Sequence, residues 1–272
     1  MAQILNVQDL RIHFHDAAPD RYAVDGVNLT IDEGEIVGLV GESGSGKTVT
    51  AMSISGLLPR ERAQLSGSIT VAGKEIFRCD DRQMLNILGS ELGIVFQEPM
   101  TSMNPVMKIG PQVEECLRLH TKLSRQERKA RALEAMAQVE LPDPQRIYHQ
   151  YPHELSGGML QRVMIAAAII SRPRLLLADE PTTALDVTIQ AEILQLLKRL
   201  NRECGMAILL ISHDLHVVRR LCSRVAVMQR GKLVENRPVE DIFRDPRHPY
   251  TKQLLAAIPS RDRRLTGRKE LP

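Results

Sequence analysis

Residues Gly41 to Thr48 read Gly-Glu-Ser-Gly-Ser-Gly-Lys-Thr, which fits the spacing G-x-x-x-x-G-K-[ST]. The motif follows an apolar run, Ile36-Val37-Gly38-Leu39-Val40, and opens into helix-forming sequence, Ala51-Met52-Ser53-Ile54. A strand, a glycine-rich turn and a helix in that order make a phosphate loop. Glycines permit backbone angles closed to other residues and let successive amide N–H groups converge on phosphate oxygens. The helix that begins near Lys47 points the positive end of its dipole at the same anion. The residues Gly41, Glu42, Ser43, Gly44, Ser45, Gly46, Lys47, Thr48 and Val49 are therefore predicted to bind a nucleotide. Lys47 would reach the β- and γ-phosphates, and the Thr48 hydroxyl would ligate Mg²⁺. This motif restricts the chain to an α/β architecture.

Composition agrees with a large α/β domain. Aromatic residues make up 3% of the 272 positions and Trp is absent, so the core must rest on aliphatic side chains and Met. The formal net charge of +3 argues neither for nor against a nucleic-acid partner. Cys79, Cys116, Cys204 and Cys222 are far apart with no C-x-x-C spacing, which reads as reduced thiols rather than metal ligands or a disulfide framework. The start of the chain lacks signal-peptide features, and no run approaches the ~18 apolar residues of a spanning helix. The sequence predicts a soluble protein, or one that reaches a membrane through a partner.

Along the chain, strands are predicted at Gln3 to Phe14 and Ala23 to Ile31, joined by a loop at Asp16 to Asp20. Gly67 to Ile76 reads as a hairpin turning at Ala72-Gly73-Lys74, and Leu92 to Phe96 as a short strand. Residues 101–153 carry helical signal instead, with Ser124-Arg125-Gln126-Glu127 as a capping box opening a helix through about Glu140. An apolar helix at Val163 to Ile170 is broken by Pro173. A buried strand, Leu175 to Ala178, runs into Asp179-Glu180-Pro181. A helix from Thr188 to Glu203, a strand from Ala207 to Ile211, a strand from Val225 to Gln229 and a last strand near Leu233 follow. Alternating strands and helices imply a mostly parallel sheet covered on both faces. The remainder, from about Asp245, reads as a proline-punctuated tail.

Polar residues fall at the ends of three predicted strands, where ligands of α/β sheets collect. Asp179 is placed to hold Mg²⁺, with Thr48 and Gln97 as the other candidate metal ligands. Glu180 is the candidate general base, orienting water toward a γ-phosphate. Gln97 and His213 end two further strands and complete a candidate γ-phosphate sensor.

The stretch Leu155-Ser156-Gly157-Gly158-Met159-Leu160-Gln161-Arg162 is similar to LSGGQ, the signature of ABC transporter ATP-binding subunits, with Met159 where Gln is commonest. The order agrees as well: phosphate loop, Gln97, helical segment, signature, Asp179-Glu180 as Walker B, Ala184-Leu185-Asp186 as D-loop, His213. The resemblance implies a P-loop NTPase (RecA-like) core with a mostly parallel sheet, an N-terminal antiparallel β subdomain and an inserted α-helical subdomain. The core would comprise residues 1–100 and 154–244, the helical subdomain 101–153 with its signature helix from 156, and the tail 245–272. It implies ATP and Mg²⁺ as ligands and ATP hydrolysis as the activity. Two cassettes would sandwich ATP head to tail, with Ser156, Gly157 and Gly158 of one facing the phosphate loop of the other. It also implies an aromatic stacked on adenine, for which Phe14 is the choice and Tyr22 the rival.

Tyr151-Pro152-His153-Glu154, the run Asp179 to Thr188, and Arg247-His248-Pro249-Tyr250-Thr251-Lys252 resemble the branch that imports di- and oligopeptides, or nickel. That branch implies two membrane permeases, a second ATPase subunit in a heterodimer, an external substrate-binding protein, no nucleic acid, and a place on the cytoplasmic face of a prokaryotic inner membrane. Gln97 to Pro105 would grip a permease helix. With no cysteine after Cys222, no iron–sulfur cluster is expected. The basic stretch Arg261 to Lys269 reads as a solvated tail. The alternative reading is a soluble ABC-type ATPase acting on ribosomes or DNA.

Overall fold

The structure is a computed structural model, and it describes residues 2–18, 20–183 and 185–257. Among the described residues, ten strands form two sheets. β1 (Gln3–Phe14), β2 (Val24–Asp32), β4 (Ala63–Val71) and β5 (Lys74–Glu75) make a four-stranded antiparallel sheet in the order β2-β1-β4-β5. β3 (Ile36–Val40), β6 (Leu92–Val95), β7 (Leu175–Asp179), β8 (Ala207–Ser212), β9 (Arg224–Gln229) and β10 (Lys232–Pro238) make a six-stranded sheet in the order β10-β9-β3-β8-β7-β6. All its pairings are parallel except β9 with β10.

The large sheet divides the interior into two cores, and period-2 alternation decides which side chain enters which. Val37 and Leu39 of β3, Leu175 and Leu177 of β7, and Leu209 and Ile211 of β8 face the antiparallel sheet and the helix Lys47–Ile54. Val40, Leu176, Ala178, Ile208 and Leu210 face the opposite core, with the helices Gly157–Ile169, Val187–Cys204 and Leu215–Leu221. Strands buried on both faces read as continuous apolar runs, which is why all five parallel strands were visible in the sequence.

Between β6 and β7 the described chain is helical: Pro99–Ser102, Ile109–Val113, Glu115–His120, Arg125–Gln138 and Pro144–Tyr148 precede Gly157–Ile169. The predicted capping box is present: the Ser124 Oγ accepts from the Glu127 N–H at 3.3 Å, and the Glu127 carboxylate accepts from the Ser124 N–H at 2.7 Å. The helix ends at Gln138, and Glu140 adopts a left-handed φ of 59° before Pro142. Gly157–Ile169 is buried on most of its circumference because it packs on Arg125–Gln138, Ile109–Val113, Pro99–Ser102 and β6 together.

Three elements differ from the sequence reading. β4 begins at Ala63, not Gly67; Gly67 sits inside the strand at φ 94°, where a Cβ would come 2.5 Å from the Gln8 and Asp9 carbonyl oxygens. That glycine marks a bulge with a close backbone approach rather than a strand start. A short helix, Asp81–Ile87, starts at its own capping box, Asp80 with Gln83. The tail from Asp245 contains the helix Pro249–Ala256, with Tyr250 and Thr251 buried. Pro249 occupies the first helical position, where its missing N–H costs nothing, so the proline opens a helix there. The basic stretch Arg261 to Lys269 lies outside the described residues. No described helix is long and apolar enough to cross a membrane.

Candidate functional site

The phosphate loop leaves the end of β3 and turns into the helix Lys47–Ile54, as predicted. Gly41 sits against β9: a Cβ there would lie 2.2 Å from the Met228 carbonyl oxygen. Around Gly44 nothing lies within 4 Å of a built Cβ, so the loop is open on its cavity side. Gly46 precedes the helix with no side-chain cap, which leaves its first-turn amides for an anion. Lys47 is 6% exposed. Its Nζ donates to the Gly41 and Glu42 carbonyl oxygens, each at 2.9 Å. Burial lowers its pKa, opposed by the charges of Glu180 and Asp179. The Ser45 Oγ is buried with no partner.

A cavity of about 750 Å³ opens over the loop, lined among others by Lys47, Thr48, Gln97, Glu180, His213 and Leu254. A second chamber of about 780 Å³ adjoins it at Ala23 and Gly44 and is lined by both Phe14 and Tyr22. Phe14 is half-buried, and Tyr22 is exposed with its ring edge-to-face on His13 at 5.4 Å.

Asp179 ends β7. Burial, reinforced by the neighbouring Glu180 charge, pushes its pKa up to about 6, with Lys47 pulling the other way. Its Oδ1 is buried without a hydrogen bond. An unpartnered carboxylate oxygen is hard-oxygen chemistry, the kind of donor that a hard cation such as Mg²⁺ prefers. Thr48, on the cavity wall, and the Gln97 amide oxygen add donors of that kind. The residues fit the metal.

Glu180 has a left-handed φ of 45°, and its N–H donates to the Ile211 carbonyl at 2.9 Å. Its Oε2 accepts from Gln97 Nε2 at 3.0 Å and from Thr183 Oγ1 at 2.8 Å. Its Oε1 lies 3.1 Å from His213 Nδ1. Adjacent parallel strands bring these ends together: β8, β7 and β6 are neighbours, so His213, Glu180 and Gln97 stand in a row. The sequence reading missed Thr183, whose only signal was its place in the Asp179 to Thr188 run. It also missed the contact of Tyr250, whose hydroxyl accepts from the Glu42 N–H at 2.9 Å.

The signature residues are not part of this cavity. Ser156 caps the helix Gly157–Ile169, accepting from the Met159 N–H at 3.4 Å, and Ser156 and Gly157 are exposed. Gly158 is where a Cβ would meet Ile189 Cγ2 at 2.9 Å. Asp186 caps the helix Val187–Cys204, its carboxylate accepting from Thr188 and Ile189 N–H.

Comparison with known proteins agrees with this geometry. The ABC transporter family matches residues 24–183, and the family described as the oligopeptide/dipeptide transporter C-terminal region matches residues 234–272. The oligopeptide transport ATP-binding protein OppD of Bacillus subtilis is 47% identical over 272 residues, 100% of this chain and 75% of that protein. A probable peptide ABC transporter ATP-binding protein, y4tR, of Sinorhizobium fredii is 46% identical over 270 residues, covering 99% and 80%. Among solved structures, the dimeric post-hydrolysis state of the ATP-binding cassette MJ0796 bound to ADP and Pi is 32% identical with a TM-score of 0.76, covering 86% of this chain and 98% of that one. The cassette cbiO1 of Clostridium perfringens is 27% identical with a TM-score of 0.77, covering 90% and 92%. With its phosphate loop, its row of strand-end polar groups and these relatives, the chain belongs to the ABC transporter family as an ATP-binding, ATP-hydrolysing subunit.

Proposed function

We propose that this subunit powers a peptide importer, using ATP held between two cassettes to drive a pair of membrane permeases. The observation that carries the reading is the Glu180 carboxylate, held by Gln97 on one side and His213 on the other, in the same cavity as Lys47 and Thr48. A carboxylate fixed there acts as general base toward a water in line with the γ-phosphate. Gln97 and Thr183 hold its Oε2, and His213 holds its Oε1, so the base is oriented before substrate arrives. Lys47 exchanges two loop carbonyls for phosphate oxygens. Asp179, Thr48 and Gln97 would hold Mg²⁺, which when bound neutralises charge on the β- and γ-phosphates. Phe14 stacks on adenine, Tyr22 being the alternative in the same chamber.

Ser156, Gly157 and Gly158 serve the partner cassette. The exposure of Ser156 and Gly157 at that helix start, away from their own chain's cavity, supports this. The permease docks against the groove beside the helix Pro99–Ser102, about 420 Å³ in volume, where Leu57, Leu85, Phe96 and Leu119 are exposed large apolar side chains. Peptides as cargo follow from the names of the relatives, which speak of peptide and oligopeptide transport and favour peptide over nickel. A second, different ATPase subunit, an external substrate-binding protein and a place on the cytoplasmic face of the inner membrane complete the proposal. The segment 101–153 acts as the moving helical subdomain on a core of residues 1–100 and 154–244.

The test is a pull-down of tagged Glu180→Gln protein from detergent-solubilised native membranes with Mg-ATP, read by mass spectrometry. Two permeases and a second ATPase are expected. Recovery of ribosomal or DNA-associated proteins without a permease would overturn the transport reading.

A further inference from the structure

The segment after β10 reaches back to the nucleotide site through a series of defined contacts. Glu235 of β10 is 8% exposed. Its Oε1 accepts from the Arg247 N–H at 2.9 Å, which turns the chain toward the phosphate loop. His248 then caps the next helix, its Nδ1 accepting from the Tyr250 N–H at 3.2 Å, and Pro249 sets the first helical turn. Tyr250 and Leu254 are four residues apart and share one face of the helix Pro249–Ala256. Tyr250, 4% exposed, places its hydroxyl 2.9 Å from the Glu42 nitrogen, and Leu254 lines the cavity with Thr48 and Val49.

The Glu42 N–H and the Gly41 carbonyl belong to one planar peptide group. Tyr250 accepts from the N–H side of that group while Lys47 donates to its carbonyl side at 2.9 Å. The Gly41–Glu42 peptide is thus gripped from both ends. Lys47 must release its end to meet phosphate, and the tyrosine hydroxyl is the contact that then keeps the plane from turning. Glycine at 41 supplies no side chain to do so.

We propose that Tyr250 is a positioning residue of the phosphate loop. It fixes the Gly41–Glu42 peptide, and through it the place from which Lys47 reaches the β- and γ-phosphates. The inference rests on the nucleotide reading of the cavity. It gives the Arg247–Lys252 stretch a role inside the ATPase site, so that displacing the helix Pro249–Ala256 alters nucleotide affinity.

The test is calorimetric titration of the full chain and of Tyr250→Phe with ATP and with AMP, which lacks the phosphates Lys47 serves. The phenyl ring keeps the packing and removes only the acceptor. ATP affinity is expected to fall about five- to tenfold, the scale of one buried hydrogen bond, with AMP affinity changed less than about twofold. ATP affinity within about twofold of the unsubstituted chain would overturn the inference, as would an equal loss for ATP and AMP, the mark of general loosening. Amide exchange in the unsubstituted protein is an independent check: a Glu42 N–H that exchanges like a free loop amide would overturn it without any variant. Failure of the unsubstituted chain to bind ATP would strike the nucleotide reading instead.

Discussion

Gln97 Nε2 donates to Glu180 Oε2 at 3.0 Å, across 83 positions of sequence. Most of the chain between them is the helical segment, so in the proposed mechanism movement of those helices would reach the base through this amide. Gln97→Ala is expected to lower turnover about tenfold while changing ATP affinity less than about threefold. Steady-state ATPase assays of the assembled complex, paired with nucleotide titration, would separate the two.

Glu180→Gln keeps the shape of the side chain and removes the base. Hydrolysis should fall by at least about a hundredfold, and an ATP-dependent dimer should accumulate in size-exclusion chromatography with the partner ATPase present. Retention of near-normal turnover would place the base elsewhere.

Lys47→Ala removes the charge that spans from the loop to the phosphates. ATP binding should weaken by roughly ten- to a hundredfold, the range of charge-assisted hydrogen bonds. Equilibrium dialysis with labelled ATP measures it directly.

Glu35 gives the fold a pH dependence of its own. Burial acts to raise its pKa, but the Arg224 guanidinium, at 2.8 and 2.9 Å from its two oxygens, and the Asp32 N–H outweigh that and hold it below the usual carboxylate range. A carboxyl depressed by folding stabilises the native state above its unfolded pKa and loses that contribution as pH falls through the folded value. Glu35→Gln should therefore cost about 1–2 kcal/mol at pH 7, and the difference from the unsubstituted chain should shrink toward pH 3. Urea melts at both pH values test the sign.

Asp186→Ala should cost about 1 kcal/mol of stability, since the carboxylate caps two N–H groups of the helix Val187–Cys204. Thermal unfolding without nucleotide reads this apart from any effect on catalysis.

What was legible in the sequence had strong local causes. The phosphate loop is contiguous, and the buried strands are unbroken apolar runs, so both could be read off directly. Glu180 was readable because it ends such a strand. Its partner Thr183 was not, since a threonine in a turn carries no periodic signal and gains meaning only when its hydroxyl meets the Glu180 carboxylate. Tyr250 was hidden more deeply. Its contact depends on Glu235 turning the chain 12 residues ahead of Arg247, and Pro249, a residue that reads as punctuating a tail, in fact starts a helix. Gly67 misled for the opposite reason, its turn-like identity serving instead the close approach of β4 to the bulge between Gln8 and Arg11 of β1.

The left-handed backbone of Glu180 also constrains how this site can change. At φ 45° a β-branched side chain would crowd its own main chain, so Val, Ile or Thr at 180 would disturb the turn as well as the chemistry. In a library randomised there, the inactivity of β-branched variants would say little about hydrolysis. Replacements without β-branching avoid that crowding, and among them glutamine confines the change to a single exchanged atom.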